Sequence, residues 1–247
     1  MAVEGHASDS ADALNLEVQR DRAIRKLFVW LVSVELVFVV LDWAVNYKGY
    51  IDSSELQDLL NIAYEDSLHN YVSSLQYLAT AGVLFLVYLH ARQTASRSLR
   101  FRWGFACAFF LYLAVDDGAA IHETVGTLLE ARLASFPSYE WQVVYVPIFG
   151  AAALVVLSLG RHLRGRRLRL LVFAGVALWV AAVVLDYLDG RDVYTGLADA
   201  WGLGEYTVYH YSRVLEEFVE DLAATLFLVA FLQHLLRSAP RLSFRFR

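Results

Sequence analysis

The chain has 247 residues, 58% of them hydrophobic, with a mean hydropathy of +0.44 and a formal net charge of −5. That is too apolar for an ordinary soluble domain and suits a polytopic membrane protein. One cysteine, Cys107, excludes intrachain disulfides, cysteine-ligated zinc and iron–sulfur clusters, and Met1, the only methionine, excludes a methionine-lined copper path. The two lysines, Lys26 and Lys48, lie outside the apolar runs, so no retinal-type Schiff base on a buried lysine is expected. No nucleic-acid motif is visible, and no nucleic-acid partner is expected.

Residues 1–15 are small, polar and acidic and read as a disordered tail. No basic segment followed by a cleavable apolar core precedes the first span, so no signal peptide is expected. Residues 16–26 are charged, with Leu16 and Ile24 as sparse apolar positions, and read as an interfacial lead-in helix. Residues 27–237 then hold six runs long enough to cross a bilayer, which takes about 20 residues each. They fall near Leu27–Tyr47, Tyr71–Ala91, Trp103–Thr124, Trp141–Gly160, Leu168–Leu188 and Val214–Leu236. Trp43, Tyr71, Trp103 and Trp141 sit near span ends, as an aromatic belt predicts. Between spans one and two, Leu56, Leu59, Leu60 and Ile62 are spaced for a short amphipathic helix, whereas Gly190 to Tyr211 reads as a loop. Residues 238–247 form a basic tail. The fold class expected is all-α, a membrane bundle of six transmembrane helices.

The basic residues alternate in side. The lead-in, the links between spans two and three and between four and five, and the C-terminal tail hold 17 of the 21 Lys and Arg, leaving Lys48, Arg132, Arg191 and Arg213 for the other side. The positive-inside rule predicts cytoplasmic termini and outward-facing longer loops.

The acids define a layer. Spans one, three and five reach aspartate near their outward ends, at Asp42, Asp116 with Asp117, and Asp186 with Asp189. Span six begins LEEFVED, with Glu216, Glu217, Glu220 and Asp221. Asp116 lies about 21 Å of helix rise from Arg102, and Glu220 about 25 Å from Arg237, so both sit in the outer half of the bilayer. Glu35 lies nearer the middle, about 13 Å from Lys26. Asp116 and Glu123 are seven apart and Glu216 and Glu220 four apart, spacings that share a helix face. Each ionisable group inside an apolar span costs roughly 2.5–3.5 kcal/mol on insertion scales, so such a layer needs compensation and points to function. Two to four carboxylates with a histidine suit a divalent cation, which would relieve their mutual repulsion.

On this reading Asp116, His122, Glu123, Glu216 and Glu220 are ligands. Glu217 or Asp221 is the general base for a metal-bound water. Glu35, Asp42, Asp117, Asp186 and Ser74 complete the polar site. Asp66, His69, Glu140 and Asp189, within about a turn of the interface, read as surface groups. His210 reads as a rim residue, and Arg213 as a partner of Glu217 four residues on. The expected activity is metal-dependent, hydrolase-like chemistry on a lipid or other membrane-soluble substrate. A cation or proton-coupled transporter or channel, supported by Glu35, is the second reading. A scaffold or sensor whose acids pair with Arg132, Arg191 and Arg213 is the third.

The stretches E-D-S-L-H-N-Y-V-S-S, L-A-V-D-D-G-A-A-I-H-E and L-E-E-F-V-E-D resemble a family of uncharacterised prokaryotic multi-pass membrane proteins. Its usual forms are E-x-x-x-P-x-x-x-S-S, S-x-D-E-x-x-x-x-H-E and E-E-x-x-E. Matching positions are Glu65, Ser73, Ser74, Asp116, His122, Glu123, Glu216, Glu217 and Glu220; Asp117 replaces the usual glutamate, and the proline after Glu65 is absent. The resemblance implies a shared polar site but no particular chemistry. Asp42, Trp43, Asn46 and Tyr47 are also weakly similar to the D-W-x-x-N-Y stretch of alkaline ceramidases, membrane hydrolases with an intramembrane zinc. That superfamily's three histidines have no counterpart in this sequence.

Overall fold

A computed structural model describes residues 4–133, 136–191 and 193–238. The described chain is helical, with no strand: α1 (Glu4–Asp42) running into a π-helical turn (Trp43–Tyr47), then α2 (Ser54–Leu60), α3 (Leu68–Thr94), α4 (Arg97–Ala119), α5 (Ile121–Leu133), α6 (Gln142–Gly160), α7 (Arg166–Asp189), α8 (Val193–Trp201) and α9 (Glu205–Ser238). Six of these, spanning 19–47, 68–94, 97–119, 142–160, 166–189 and 205–238, are long and apolar enough to cross a membrane. They coincide with the six runs predicted above.

Local chemistry sets the helix starts. Ser53, Ser67 and Ser96 are extended residues whose side chains accept from the backbone N–H three positions on, at Leu56, Asn70 and Leu99. Each satisfies one of the orphan donors of a first turn. Gly165, at φ +105°, opens α7 in a backbone region that side chains rarely enter.

Three predicted boundaries move. The segment expected as a disordered tail is helical from Glu4 and continuous with the lead-in and first span; residues 1–3 lie outside the described residues. Its alanines, with Leu14 and Glu4, are good helix formers. The supposed loop 190–211 holds α8 and the first turns of α9, with Tyr194 and Ala198 of α8 buried. Tyrosine and glycine drew the loop reading, but tertiary burial outweighs such local preference. The third span ends at Ala119 rather than continuing to Thr124, and that break builds the site. Of the basic tail, residues 239–247 lie outside the described residues.

α9 is the hub. It packs against α1, α3, α7 and α8, and 67% of its apolar stretch is buried, against 28–39% for the other five spans. Beside it, α3 packs on α4, and α6 on α4 and α7. Toward the arginine-rich ends of the helices the interior is aromatic. Phe110 stacks on Trp179 at 5.9 Å, and Phe227 and Phe231 meet Phe110 edge-on. All three phenylalanines are inaccessible. Gly175 lets α7 approach α9, since a Cβ there would lie 2.8 Å from Phe227 Cε1. Trp103, expected in the aromatic belt, is 2% exposed and stacks on His234 at 5.3 Å. Outward faces carry Val29, Trp30, Val37 and Val40 on α1, Leu75 and Phe85 on α3, and Leu154 on α6, the apolar girdle a lipid-facing bundle needs. The lead-in helix docks on the end of α9, where Gln233 Nε2 donates to Asp21 Oδ1 at 2.8 Å and Arg20 to the Leu236 carbonyl at 3.2 Å.

Candidate metal centre

Opposite the aromatic floor, the bundle opens into a cavity of ≈ 390 Å³. Ten carboxylates line it: Glu65, Asp116, Asp117, Glu123, Glu130, Glu140, Asp186, Glu216, Glu217 and Glu220. Only His122 and Arg213 among the lining side chains are basic. Eight of the twelve residues predicted from sequence therefore face one space. The other four, Glu35, Asp42, Ser74 and Asp221, lie around it in separate contacts.

The break after α4 organises the centre. Ala120 adopts the left-handed conformation, φ 46°, and caps α4 through its N–H to the Asp116 carbonyl. For a residue with a Cβ this conformation costs roughly 1–2 kcal/mol. It turns the chain so that α5 starts back over Asp116. The His122 N–H then donates to Asp116 Oδ1 at 3.0 Å, and His122 Nδ1 lies 3.1 Å from Asp116 Oδ2. The seven-residue spacing of Asp116 and Glu123 thus does not place them on one helix, as a continuous span required. Instead Asp116, 4% exposed, orients the imidazole and also accepts from the Tyr112 hydroxyl at 2.9 Å.

Holding Nδ1 leaves Nε2 directed elsewhere, and it lies 3.9 Å from Glu65 Oε1. Glu65, His122 and Glu123 can each offer one ligand atom such that all three atoms lie within 4.8 Å of one another. Glu65 was not among the predicted ligands, although the E-D-S-L-H-N-Y-V-S-S motif contains it. It reaches the centre because Ser67 and Asn70 shape the start of α3. Asn70 Nδ2 donates to the Glu65 carbonyl, to Glu65 Oε2 at 3.2 Å and to the Asp117 carbonyl at 2.7 Å. Burial, aided by the charges of Glu123, Glu220 and Asp116 and opposed by His122, pushes the Glu65 carboxyl up to about 7. Burial disfavours a charged His122, but Asp116, Glu65 and Glu123 outweigh it and carry the imidazole up to about 9.

The remaining acids are divided among partners. Glu220 Oε1 accepts from the wholly buried Tyr77 hydroxyl at 2.7 Å, and Asp117 Oδ2 from Ser74 at 3.1 Å. Arg213 bridges Glu216 at 3.3 Å, Asp189 at 3.6 Å and Asp186 at 3.7 Å, rather than pairing with Glu217. Gln142 donates to Asp186 at 2.6 Å and Tyr139 to Asp189 at 2.7 Å. Asp189, predicted at the surface, is 8% exposed because α8 and Tyr139 cover it.

Two further histidines, expected at the surface or rim, pack against buried aspartates, His69 itself buried and His210 partly so. His69 Nε2 lies 2.6 Å from Asp221 Oδ2, both side chains 2% exposed. Asp221 therefore faces away from the cavity that Glu216, Glu217 and Glu220 line. His210 Nε2 lies 3.1 Å from Asp42 Oδ2, and Asp42 Oδ1 accepts from Asn46 at 3.1 Å and from the Ile62 N–H at 3.3 Å. The Asp42 group thus ties the π-helical end of α1 to α9 and to the link before α3. Deeper still, Thr225 donates to Glu35 Oε1 at 2.7 Å or to Gln76 Oε1 at 2.9 Å, and Gln76 Nε2 lies 3.4 Å from Glu35. Asp66 is exposed, as predicted, and Glu140 is half-buried at the cavity.

Fold and cavity define a class: a multi-pass helical membrane protein with a carboxylate-rich chamber at one end of the bundle. Within that class, residues 27–235 match the family model described as "Domain of unknown function (DUF8692)", and the chain belongs to that family. No curated protein and no solved structure matches it, so the similarity to alkaline ceramidases gains no support.

Proposed function

We propose that the chamber binds a divalent metal ion and that the protein is a metal-dependent, hydrolase-like enzyme acting on a lipid or other membrane-soluble substrate. The observation that carries this is the convergence of Glu65, His122 and Glu123 with Asp116 on the far nitrogen of the imidazole. A carboxylate holding the second nitrogen of a histidine is the recurring support of a metal-ligating imidazole. Two carboxylates and one imidazole suit zinc, manganese or iron, and three protein ligands leave coordination open for reaction, as catalytic rather than structural sites do. Such an ion would polarise a substrate oxygen and acidify a bound water.

The protein's own groups supply the rest. Asp116 fixes the tautomer and direction of His122. Glu217, which lines the cavity, is the general base, a role that Asp221 is poorly placed to share. Arg213, held by three acids, offers fixed positive charge on the same wall. Phe149 and Trp179 line the chamber, and the Phe110, Phe227 and Phe231 cluster packs behind Trp179, which supports a chamber open at one end. The arginine distribution supports a chamber on the extracytoplasmic side with both termini in the cytoplasm. Transport is the weaker reading, because its best support, Glu35, is 1% exposed, enclosed with Gln76 and Thr225, and lines no part of the chamber.

Elemental analysis of detergent-purified protein tests the site. Stoichiometric metal in the wild type, lost in His122→Ala and Glu65→Gln but kept in Glu35→Gln, is expected. Wild type without metal after incubation with zinc and manganese, or His122→Ala with full metal, refutes it. Hydrolysis of membrane lipids followed by mass spectrometry, abolished by chelation and restored by metal, tests the activity.

A further inference from the structure

A second cavity, of ≈ 380 Å³, lies at the same end of the bundle among α7, α8 and α9. Its lining is unlike the first. Four tyrosines, Tyr139, Tyr194, Tyr206 and Tyr209, line it together with Asp189, Thr195 and Glu205, and among the described residues no basic side chain takes part. Three of the four hydroxyls bond to the protein itself: Tyr139 to Asp189 at 2.7 Å, Tyr194 to the Leu185 carbonyl at 3.2 Å, and Tyr206 to the Asn46 carbonyl at 3.3 Å. Tyr206 is further held by stacking on Tyr47, with ring centroids 6.2 Å apart and planes 2° from parallel. With these hydroxyls engaged, the aromatic rings are the groups the four tyrosines have to offer a ligand.

We propose that this cavity binds an alkylammonium group, quaternary or protonated. Rings attract a cation through their quadrupole, most strongly when the cation sheds water easily, as an alkylammonium does and a hard metal ion does not. Glu205 adds charge complementarity, the charge of Asp189 being matched by Arg213. A metal ion is the poorer occupant, because Asp189 already serves Tyr139 and Arg213, leaving one acid, Glu205, which accepts from Thr195 through Oε1 at 3.1 Å and keeps Oε2 for a cation. Close by in sequence, Trp201 and Leu203 at the end of α8 and Tyr211 on α9 are exposed, and tryptophan and tyrosine settle at the headgroup level of a bilayer. Tyr139 lines both cavities, and Asp189 beside it contacts Arg213 of the acidic chamber. A molecule with an ammonium group at one end can therefore bridge from the tyrosines to the chamber. Resting on the metal-site reading, this narrows the substrate to ammonium-bearing headgroups; the ammonium site itself does not depend on metal.

The test is a fluorescence titration of full-length protein in maltoside detergent with tetramethylammonium, and with neopentyl alcohol as a neutral isostere. Saturable binding of the cation alone is expected, unchanged by chelator. Tyr206→Leu and Glu205→Gln should each weaken it about fivefold, while Tyr206→Phe, which keeps the ring, should retain it. Equal response to the neutral isostere, or unaltered affinity in both weakening variants, overturns the proposal; loss in Tyr206→Phe does so as well if its melting curve is native. Repeating the titration in nanodiscs separates the sources of the ammonium. Competition in phosphatidylcholine but not phosphatidylglycerol discs identifies a lipid headgroup, and equal binding in both identifies a soluble amine; each sustains the site. Cation binding in a protein that takes up no metal would leave this site standing and remove the metal-centre reading alone.

Discussion

Replacing Asp116 by asparagine isolates the step that makes His122 a ligand. The carboxylate, 4% exposed, receives three bonds: from the His122 N–H at 3.0 Å, from His122 Nδ1 at 3.1 Å and from the Tyr112 hydroxyl at 2.9 Å. Asparagine has nearly the same shape but only one carbonyl oxygen, so its amide nitrogen must face a donor on one side. It either abandons the cap of α5 or turns the imidazole to the tautomer with a proton on Nε2. Both outcomes remove a ligand from its working geometry. Loss of such a supporting carboxylate weakens metal binding about 10–100-fold, equivalent to about 1.4–2.8 kcal/mol. Competition titration with a chromophoric chelator at fixed pH, in detergent, measures it directly. His122→Ala gives the floor, and Asp116→Glu tests recovery of the charge. Wild-type affinity in Asp116→Asn, with His122→Ala at its floor, would refute the argument that Asp116 orients the ligand.

Other expectations follow from the same geometry. Glu65 and His122 are both pushed up, to about 7 and about 9, so the folded protein holds their protons more tightly than the unfolded chain does. The metal-free protein should therefore lose thermal stability as pH rises from about 5 to 9, and saturating metal, which binds the deprotonated ligands, should reduce or reverse that loss. A metal-free melting temperature that rises across this window would contradict the assignment. Ala120→Gly relieves a left-handed alanine and should stabilise by about 1 kcal/mol, whereas Gly175→Ala, with its Cβ 2.8 Å from Phe227, should destabilise by about 1–3 kcal/mol in melts of detergent-solubilised protein. Removing one partner of the buried His69–Asp221 pair, by His69→Ala, should cost about 3–5 kcal/mol without changing metal content; metal loss at native stability would move that pair into the site.

Span number and the acidic layer were legible because both are properties of single segments. Twenty apolar residues must satisfy their backbone as a helix in lipid whatever their neighbours are, and an aspartate at a given number of residues from an arginine anchor has a nearly set depth. The amphipathic spacing at Leu56–Leu60 was equally local, and the corresponding helix is α2. Depth, however, places residues in a layer without pairing them. Glu217 and Asp221 share a helical face by spacing, yet Glu217 lines the chamber and Asp221 meets His69, because α9 is surrounded and offers polar groups to several neighbours. Arg213 could reach Glu217 on its own helix but lies nearer Glu216, Asp186 and Asp189, an arrangement decided by how α7 packs on α9.

The centre itself depends on the third dimension twice. Between Leu111 and Ile121, Gly118 after Asp116 and Asp117 is the one local hint of a break, and it does not single out Ala120 as left-handed; a break there becomes worthwhile only when Asp116 receives the start of α5. Glu65 joins His122 and Glu123 across 57 and 58 positions of sequence, brought in by Asn70 bonding to the backbone of α4. Sequence alone determined a six-span bundle with charge stored at one end, because lipid tests each helix separately. The tertiary structure decided which acids meet which histidine, because rotation about a helix axis and the order of helices in the bundle are set by mutual packing.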